Sequence, residues 1–453
     1  MAGGNFDINV GKDRAGNYVN TKSKRQQKPS VSARGIYVVP LIGYDWGPNG
    51  EFIKLSVESP DAEIAKLGRS VYDSNDFMLL IREGFKNSIT CQVYIINNGT
   101  EAKATTDNGI TITAAYGGTR GNDLKVVCVA NTDGNFDVKV YLETEVVEEY
   151  KGLKTVADLI AASTKKYVKF SATSTEAELQ AFAGISLKDG ANGTTENSAV
   201  TKFLDKSESV KWHTMCFPVE ESELQTACIT KITHLRANVG KWIQAVLPKC
   251  GSDNEGIINV TNGVVLNDGT IINAVKATAW VAGVTAGASK TESNTYKAYE
   301  GAVAVYEEKT NEEAVEAIKN GEFFFSLSED DEVVVEYDIN SLHTFTTEKT
   351  KDYSKNRCLR VYDSFATDLA KTFPPGKYDN DPEGWLVMEG LGRALLTAYG
   401  PAEQGGDGSI KNVDLENDFY VDRSRSTGDE TFFNIGLEAV DSSEKHYFSV
   451  STR

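Results

Sequence analysis

The stretch "VKWHTMCFPVEESELQTACITKITHLRANVGKWIQAVLP", residues 210–248, decides the fold class of this chain. It begins and ends with a short apolar run typical of a buried strand. Its middle carries apolar residues at steps of four and three, namely Leu224, Cys228, Ile232, Leu235 and Val239. Such steps place the five side chains on one face of a helix. A strand, a helix and a second strand in this order predict parallel strands joined by a helical crossover, the repeating unit of an α/β domain.

The segments that follow repeat this alternation of helix and strand. Ser222 with Gln225, and Thr310 with Glu313, have the spacing of capping boxes, so each pair predicts the start of a helix. Between these pairs, "GVVLNDGTII" is typical of a hairpin and "NAVKATAWVAGVTAG" of a buried helix. We therefore expect residues 183–347 to form an α/β layer domain.

The part of the chain before this domain divides in two near residue 100. Residues 34–99 hold the strand candidates "RGIYVVPLIG" and "ITCQVYII" and two short helices, the first ended by Gly68 and the second capped by Ser74. Residues 100–182 are rich in threonine, valine and tyrosine, and turns such as "GGTRGN" and "NTDGN" separate the strand-like runs. That pattern predicts a small antiparallel β-domain, interrupted by one helix at "TVADLIAAS".

The two ends of the chain differ from the middle. Residues 1–33 are polar and rich in glycine, asparagine and lysine, which indicates an extended arm or a solvated tail. Residues 348–453 hold two helices separated by Pro374-Pro375-Gly376 and close on "KHYFSVSTR", whose alternation predicts a strand that must pair within its own subunit or with another. The candidate arm residues are Lys22, Lys24, Arg25, Lys28, His446, Tyr447, Phe448 and Val450.

Composition limits the possible partners. The 453 residues include 47 lysines and arginines and 65 aspartates and glutamates, a formal net charge of −18. So acidic a surface repels phosphate backbones and anionic membranes, which disfavours nucleic-acid binding. We find no apolar signal core and no apolar run near the roughly 20 residues that span a bilayer, so we expect neither secretory export nor membrane insertion. Six scattered cysteines without a CxxC pair fit buried thiols in a reducing cytosol.

No motif in the sequence carries catalytic or metal chemistry. The four histidines, His213, His234, His343 and His446, stand without a GxSxG or HExxH pattern, so structural roles are favoured for them. Acidic runs such as "SEDDEVVVEYD" lack the spacing of a calcium loop. We therefore predict no catalytic residue, no cofactor and no metal site.

Two glycine-rich stretches suggest phosphate loops, but neither has the required order of a strand, a loop and the N-terminus of a helix. "GVTAGASKT", residues 283–291, ends a helix where the motif must begin one. "AYGGTRGNDLKVV", residues 115–127, is followed by a strand, so its glycines predict a tight turn. We place Arg120 at the tip of that turn, as a candidate contact to an acidic neighbouring subunit.

Four segments, taken in order, resemble the tail sheath proteins of contractile-tailed (myovirus-type) phages and of related phage-tail-like bacteriocins. They are "GGTRGNDLKV", "WVAGVTAGASKTESNTYKAYEGA", "GEFFFSLSEDDEVVVEYDINSLHTFTTEKTKDYSKNRCLRVYDSF" and "DETFFNIGLEAVDSSEKHYFSVSTR". Within them "DINSLHTFTTEK" and "KNRCLRVYD" carry the strongest likeness. The resemblance extends over about residues 30–453, and the order and spacing of the segments make it specific.

The resemblance implies a multidomain sheath fold of the α/β plus β class. It implies an antiparallel β-sandwich insertion at residues 100–182, a subtilisin-like α/β domain at 183–347 and an α+β C-terminal domain at 348–453 that ends in a linker and a donated strand. Residues 34–99 are then an α/β segment packing with the C-terminal domain, and residues 1–33 an extended arm. The likeness to subtilisin concerns the fold alone, since the family carries no protease triad.

The function that the resemblance implies is structural. Sheath subunits form stacked hexameric rings around a tail tube, add arm strands to a neighbour's sheet, and contract to drive the tube through a target cell envelope. The implied partners are further copies of the chain, the tail tube protein, and baseplate and tail terminator proteins. Assembly is expected in the bacterial host cytoplasm, and the product is a virion tail or a released extracellular particle. The tube-facing candidates are Arg357, Arg360 and Lys371.

Two other functions compete with this one. A hydrolytic enzyme on the α/β domain would require a buried serine, histidine and acid, or a perturbed carboxylate, in a cleft. A monomeric cell-surface binding module would require a signal peptide. If the sheath interpretation is right, deletion of residues 1–30 or 444–453 should leave a folded monomer that does not form tubes.

Overall fold

The computed structural model describes residues 2–4, 16–18 and 35–452, the first two stretches by their backbone alone. Those two stretches are the short parallel strands β1 (Ala2–Gly4) and β2 (Gly16–Tyr18). The basic cluster predicted for the N-terminal arm, from Lys22 to Lys28, lies outside the described residues. In the described part of the chain, no helix is both long and apolar enough to cross a bilayer.

The first ordered segment has the elements predicted for residues 34–99. They are β3 (Ile36–Ile42), β4 (Phe52–Ser56), α1 (Ile64–Leu67), α2 (Asp76–Phe85) and β5 (Thr90–Ile96). Gly68 ends α1 in the left-handed conformation at φ 69°, as predicted. The cap of α2 is Asn75 and not Ser74, because the Asn75 side chain accepts the backbone N–H of Phe77 at 2.9 Å.

The next segment is an antiparallel β-sandwich. Its elements are β6 (Glu101–Thr105), β7 (Ile110–Gly117), β8 (Leu124–Ala130), β9 (Phe136–Leu142), β10 (Glu145–Leu153), α3 (Val156–Ala162), β11 (Val168–Ala172) and β12 (Phe182–Ser186). A sheet in the order β11-β7-β6 shares one core with a sheet in the order β10-β9-β8-β12. The predicted end at residue 182 is too early, because β12 pairs with β8 and Lys188 still bridges to Lys103.

The central segment alternates strand and helix. Its elements are α4 (Asn197–Ser207), β13 (Thr214–Cys216), α5 (Ser222–His234), β14 (Gln244–Pro248), β15 (Ile257–Val260), β16 (Gly263–Leu266), β17 (Ile271–Ile272), α6 (Ala274–Gly287), β18 (Ala302–Tyr306), α7 (Asn311–Lys319), β19 (Glu322–Phe323), β20 (Phe325–Leu327) and β21 (Val333–Val335). The parallel β13-α5-β14 unit and the β16–β17 hairpin are confirmed.

One of the two predicted capping boxes forms and the other does not. Thr310 and Glu313 exchange both hydrogen bonds at the start of α7. At the start of α5 the box of Ser222 and Gln225 is wrong, because the Gln225 side chain is buried and donates instead to the carbonyls of Val219 and Pro248. The Gln225 side chain is engaged in these hydrogen bonds and does not cap the start of α5.

A seven-stranded sheet in the order β19-β15-β14-β13-β3-β5-β4 unites the first segment with the central one. Its neighbours run parallel except β4, which is antiparallel to β5. The expectation that residues 34–99 pack with the C-terminal domain is therefore wrong. The reason lies in β3, where Val38 and Val39 are both fully buried, so the strand needs cover on both faces and lies inside the sheet.

Helices cover both faces of this sheet. Val39 packs into the core formed with α2 and α6, and Val38 packs into the core formed with α4 and α5. The same core that includes Val39 continues into the β-sandwich, through residues such as Ile112 and Val126. The seven-stranded sheet with its covering helices, here called the central body, therefore shares one continuous apolar core with the β-sandwich.

The C-terminal domain has its own smaller core. Its elements are α8 (Asn356–Thr372), α9 (Pro382–Tyr399), β22 (Phe419–Val421) and β23 (Phe433–Ile435). The two predicted helices and the Pro-Pro-Gly break between them are confirmed. The buried core residues are Cys358, Val361, Phe365, Leu396, Tyr399, Ile410, Phe419 and Ala439.

Candidate intersubunit surfaces

The last residues of the chain return across the C-terminal domain before they leave it. Ala439 is buried and forms a β-bridge with Ile410, and the N–H of Val440 donates to the Ser409 carbonyl at 2.9 Å. Farther along, Arg357 Nη1 donates to Ser442 Oγ at 2.6 Å. These contacts hold the chain against its own domain as far as residue 442.

Glu444 makes the most complete of these attachments. Its carboxylate accepts Thr295 Oγ1 at 2.7 Å and Ser293 Oγ at 3.3 Å, and it forms an ion pair with Lys355 Nζ. The Glu444 and Lys355 side chains are only 8% and 7% exposed. Burial opposes the charge of Lys355, but the hydrogen bonds to Glu444 and Tyr337 prevail and raise the pKa of Lys355 above its usual value.

Beyond Glu444 the chain leaves the surface. Tyr447, Phe448 and Val450 are 90%, 86% and 89% exposed, and residues 445–452 form no strand with the rest of the described chain. Apart from the Lys445 ammonium, which lies 5.9 Å from the centre of the Tyr337 ring, their contacts are local, such as Ser443 Oγ to His446 Nε2 at 3.0 Å. The strand predicted here is thus absent from the single subunit, and its pairing with a neighbour remains a prediction.

The same domain presents an open sheet edge. Gly436 N–H donates to Asp418 and Asp422 N–H donates to Phe432, so in this antiparallel ladder the backbone groups of Phe433 and Ile435 point away from β22. Within residues 35–452 these outward groups have no hydrogen-bond partner. The other edge of the hairpin is occupied, because Val421 N–H in β22 donates to the buried carboxylate of Glu389 in α9 at 3.0 Å.

The three tube-facing candidates occupy different environments. Arg360 is 1% exposed and donates to the Asp338 carboxylate and the Glu292 carbonyl, so its assignment to a tube-facing surface is wrong. Arg357 is half-buried against the chain end at Ser442. Lys371 has a side chain 70% exposed and 2.9 Å from Asp368, and its contact with a tube remains a prediction.

Lys371 lies in a basic groove between α8 and the central body. The groove encloses about 580 Å³, and its lining contains Lys211, Lys241, Trp212 and Trp242 but no carboxylate. Lys241 donates to the backbone carbonyl of Glu208. In a chain of net charge −18 this concentration of lysine beside indole rings is a surface suited to an acidic partner.

The Gly-rich stretch at 115–127 is a turn, as predicted, and its environment explains the glycines. Gly118 has φ 114°, and a Cβ there would lie 2.0 Å from the Asp45 carbonyl oxygen. A 3-10 turn at Thr119–Asp123 then leads into β8. The exposed role predicted for Arg120 is wrong, because its guanidinium is buried and bonds the Gly68 carbonyl, Asp123 and Glu143 within the subunit.

The histidines take part in local structure. His213 Nδ1 accepts the N–H of Ile36 at 3.2 Å, and His343 Nδ1 lies 2.9 Å from the Ser341 carbonyl. Among the described residues, no three histidine, cysteine or acidic side chains gather closely enough to hold a metal ion. All six cysteines are free and buried.

Local sequence patterns do not reveal the attachment of Glu444 or the open edge of β23. The donors to Glu444 lie 151, 149 and 89 positions away in the chain, so no short-range spacing connects them. Whether the edge of β23 is open depends on the order of the strands in the sheet. Either could have been found only from a map of long-range contacts.

Three family models match consecutive parts of the chain. The phage tail sheath β-sandwich domain matches residues 97–192, the phage tail sheath central domain matches residues 193–341, and the phage tail sheath C-terminal domain matches residues 348–453. These limits agree with the ends of the sandwich and of the central segment in the fold.

Curated relatives match over the full length. The protein YqbK of Bacillus subtilis is 36% identical over 100% of both chains, and the phage-like element PBSX protein XkdK of the same organism is 35% identical over 99% of both.

Solved structures show the same architecture. A sheath tail protein from Desulfitobacterium hafniense has a TM-score of 0.81 at 34% identity, over 96% of this chain and 99% of that one. The contracted helical sheath of the anti-feeding prophage shares the fold alone, with a TM-score of 0.54 at 12% identity over 98% of this chain and 100% of that one. The chain therefore belongs to the phage tail sheath protein family, as a structural subunit of a tail sheath and not as an enzyme.

Proposed function

We propose that this chain polymerises as stacked hexameric rings around a tail tube, with its terminal arms joining the subunits, and that the polymer contracts to drive the tube through a target cell envelope. The single observation that carries the proposal is the C-terminal arm, residues 445–453, whose described part leaves the body with three large apolar side chains almost fully exposed. Such side chains are unfavourable in water and gain stability when a partner covers them.

The open edge of β23 is the acceptor we propose for an arm strand. Main-chain hydrogen bonds to Phe433 and Ile435 would add a strand to the β22–β23 hairpin, and the alternating side chains of the arm would set its register. A two-stranded hairpin is only marginally stable, so added strands would also stabilise the acceptor. Because His446, Phe448 and Val450 alternate with Tyr447, one face of the added strand would be apolar and covered.

The N-terminal arm is suited to an acidic neighbour. Residues 1–33 carry six lysines and arginines and two aspartates, whereas the other 420 residues carry 41 basic and 63 acidic residues. Complementary charge speeds encounter and disfavours wrong partners. We place Lys22, Lys24, Arg25 and Lys28 at an acidic surface of the adjoining subunit.

The work of contraction comes, in this proposal, from conformational energy stored at assembly. The sequence carries no nucleotide motif, and two packings of the same subunits that differ by a few kcal/mol each would release a large total over many subunits. Strand pairing through the arms would keep neighbours attached while the globular contacts change. The remaining partners we propose are the tube, the baseplate and a tail terminator, with assembly in the bacterial host cytoplasm and release in a virion tail or an extracellular particle.

Truncation of the arm tests this proposal. The full-length chain should sediment as tubes, and a chain that lacks residues 445–453 should remain unassembled while keeping the circular dichroism and melting temperature of the full-length protein. The deletion begins after Glu444, so the contacts that hold the chain end to its own domain are retained. Tubes of ordinary order from the truncated chain would refute the role of the arm.

A further inference from the structure

Glu444 joins two domains at the point where the arm departs. Ser293 and Thr295 lie in the central segment after α6, and Lys355 directly precedes α8 of the C-terminal domain. One carboxylate therefore accepts hydrogen bonds from both sides of the boundary between the two domains. Charge-assisted hydrogen bonds of this kind are roughly twice as strong as neutral ones.

The surface beneath Glu444 is held in place by buried polar contacts. Asp338 accepts the backbone N–H of Asn294 at 2.9 Å, the Asn356 amide at 2.9 Å and Arg360 Nη2 at 3.1 Å. These bonds fix the loop that carries Ser293 and Thr295 to the first turn of α8. The three donors to Glu444 are therefore positioned by the fold before the chain end arrives, which lowers the entropy that binding loses.

Lys355 has no freedom to leave this arrangement. Its ammonium lies 4.1 Å from the centre of the Tyr337 ring and 3.5 Å from Asp441, and its backbone forms a β-bridge with Ile339. Removal of the Glu444 carboxylate would leave a largely buried cation with two weaker partners, Asp441 and the Tyr337 ring, which is unfavourable. The pairing thus favours one position of the chain end.

We propose that Glu444 is a clamp that fixes the root of the C-terminal arm across the boundary between the central and C-terminal domains. This inference rests on the proposed function, because it assumes that the arm binds a neighbour. The clamp would limit the free arm to residues 445–453 and would pass tension on the arm to two domains at once. Glu444 is a positioning residue and makes no contact with the neighbouring subunit itself.

The clamp sets the reach of the arm. Nine extended residues span about 30 Å, and release of residues 441–444 would add about 13 Å. A neighbour held by the longer arm could occupy many positions relative to the body. We therefore expect the clamp to control the regularity of the polymer more than its existence.

Two variants of the full-length chain separate the clamp from a general effect of charge. Glu444→Ala removes the clamp. Glu438→Ala removes a glutamate from the same chain end, where its pairing with Lys411 at 3.1 Å is half exposed. Hydrogen exchange of the unassembled chain should show residues 441–444 exchanging at least tenfold faster in the first variant and unchanged in the second. Thr295→Val, which removes one donor, should give an intermediate rate.

Electron microscopy of the polymers supplies the second measurement. Glu444→Ala should still form tubes, but with weakened or absent helical order, whereas Glu438→Ala should match the natural chain. Unchanged exchange in Glu444→Ala would overturn the clamp, and increased exchange with normal helical order would overturn its role in the polymer. If the natural chain formed no tubes, the proposed function would fail, and the exchange measurement alone would still decide whether Glu444 holds the chain end.

Discussion

Arg236 donates to both carboxylate oxygens of Asp363, at 2.9 and 2.8 Å, in the boundary between the central and C-terminal domains. The two side chains are 7% and 6% exposed. Arg236 belongs to a short π-helix, Leu235–Val239, that continues α5, and Asp363 lies in the middle of α8. A paired, buried charge in this position fixes the register of one domain against the other.

Loss of the carboxylate should therefore destabilise the protein strongly. Asp363→Ala leaves Arg236 buried without a counter-charge, and we expect unfolding in urea to lose about 3–5 kcal/mol of stability. The matched control is Glu63→Ala, which removes an exposed pair with Lys66 and should cost about 1 kcal/mol or less. Equal shifts for the two variants would show that the buried pair does not join the domains.

The Gly-rich turn gives a second prediction about stability. Gly118→Ala forces a Cβ to within 2.0 Å of the Asp45 carbonyl at a left-handed φ, so we expect a loss of about 3 kcal/mol. Gly134 also has a positive φ, 76°, but has nothing within 4 Å of its Cβ position. Gly134→Ala should cost only about 1 kcal/mol. Thermal unfolding followed by circular dichroism distinguishes close packing from backbone strain, and similar melting temperatures would refute the packing argument.

The thiols should be unreactive in the folded protein. Burial raises the pKa of Cys128 to about 11 and the pKa of Cys216, Cys250 and Cys358 to about 12. A raised pKa reduces the thiolate fraction, so alkylation should stay slow from pH 7 to 9, where thiols in an unfolded chain, with a pKa of about 8.5, ionise. Mass spectrometry should find six labels in denaturant and none in the native chain. Rapid native labelling would contradict the buried positions of these cysteines.

The basic groove predicts a specific effect on tube binding. Lys371→Glu should reduce co-sedimentation with the tail tube protein by tenfold or more, because it places a negative charge beside Lys211 and Lys241 in a surface suited to an acidic partner. Lys377→Glu makes the same charge change at another exposed lysine of the domain and should leave binding unaltered. If both variants bind as the natural chain does, the groove is not the tube-facing surface.

Features set by nearby residues were predictable from sequence, and features set by distant residues were not. The repeating helix and strand of 210–248 and the box of Thr310 and Glu313 depend on neighbours in the chain, and both are confirmed. Gln225 has the same local pattern, but its side chain donates to the carbonyl of Val219, 6 positions away, and to that of Pro248, 23 positions away, on the next strand. The position of β3 beside β13 depends on a pairing across about 180 residues, which hydrophobic periodicity cannot reveal.

The candidate site shows the same division. The alternation from His446 to Val450 indicates an arm, and the exposure of its apolar side chains agrees with that. Arg120 and Arg360 have the composition of surface residues, but each is buried by partners far along the chain, at Gly68 and at Glu292. Charge alone therefore could not separate a subunit contact from an internal one.

The most direct test of the central claim is electron microscopy of the purified full-length chain, negatively stained, without nucleotide. We predict long striated tubes or stacked rings with sixfold symmetry in end views. Uniform single particles of about one subunit at all protein concentrations, including in the presence of tail tube protein, would contradict the assignment of this chain as a polymerising sheath subunit.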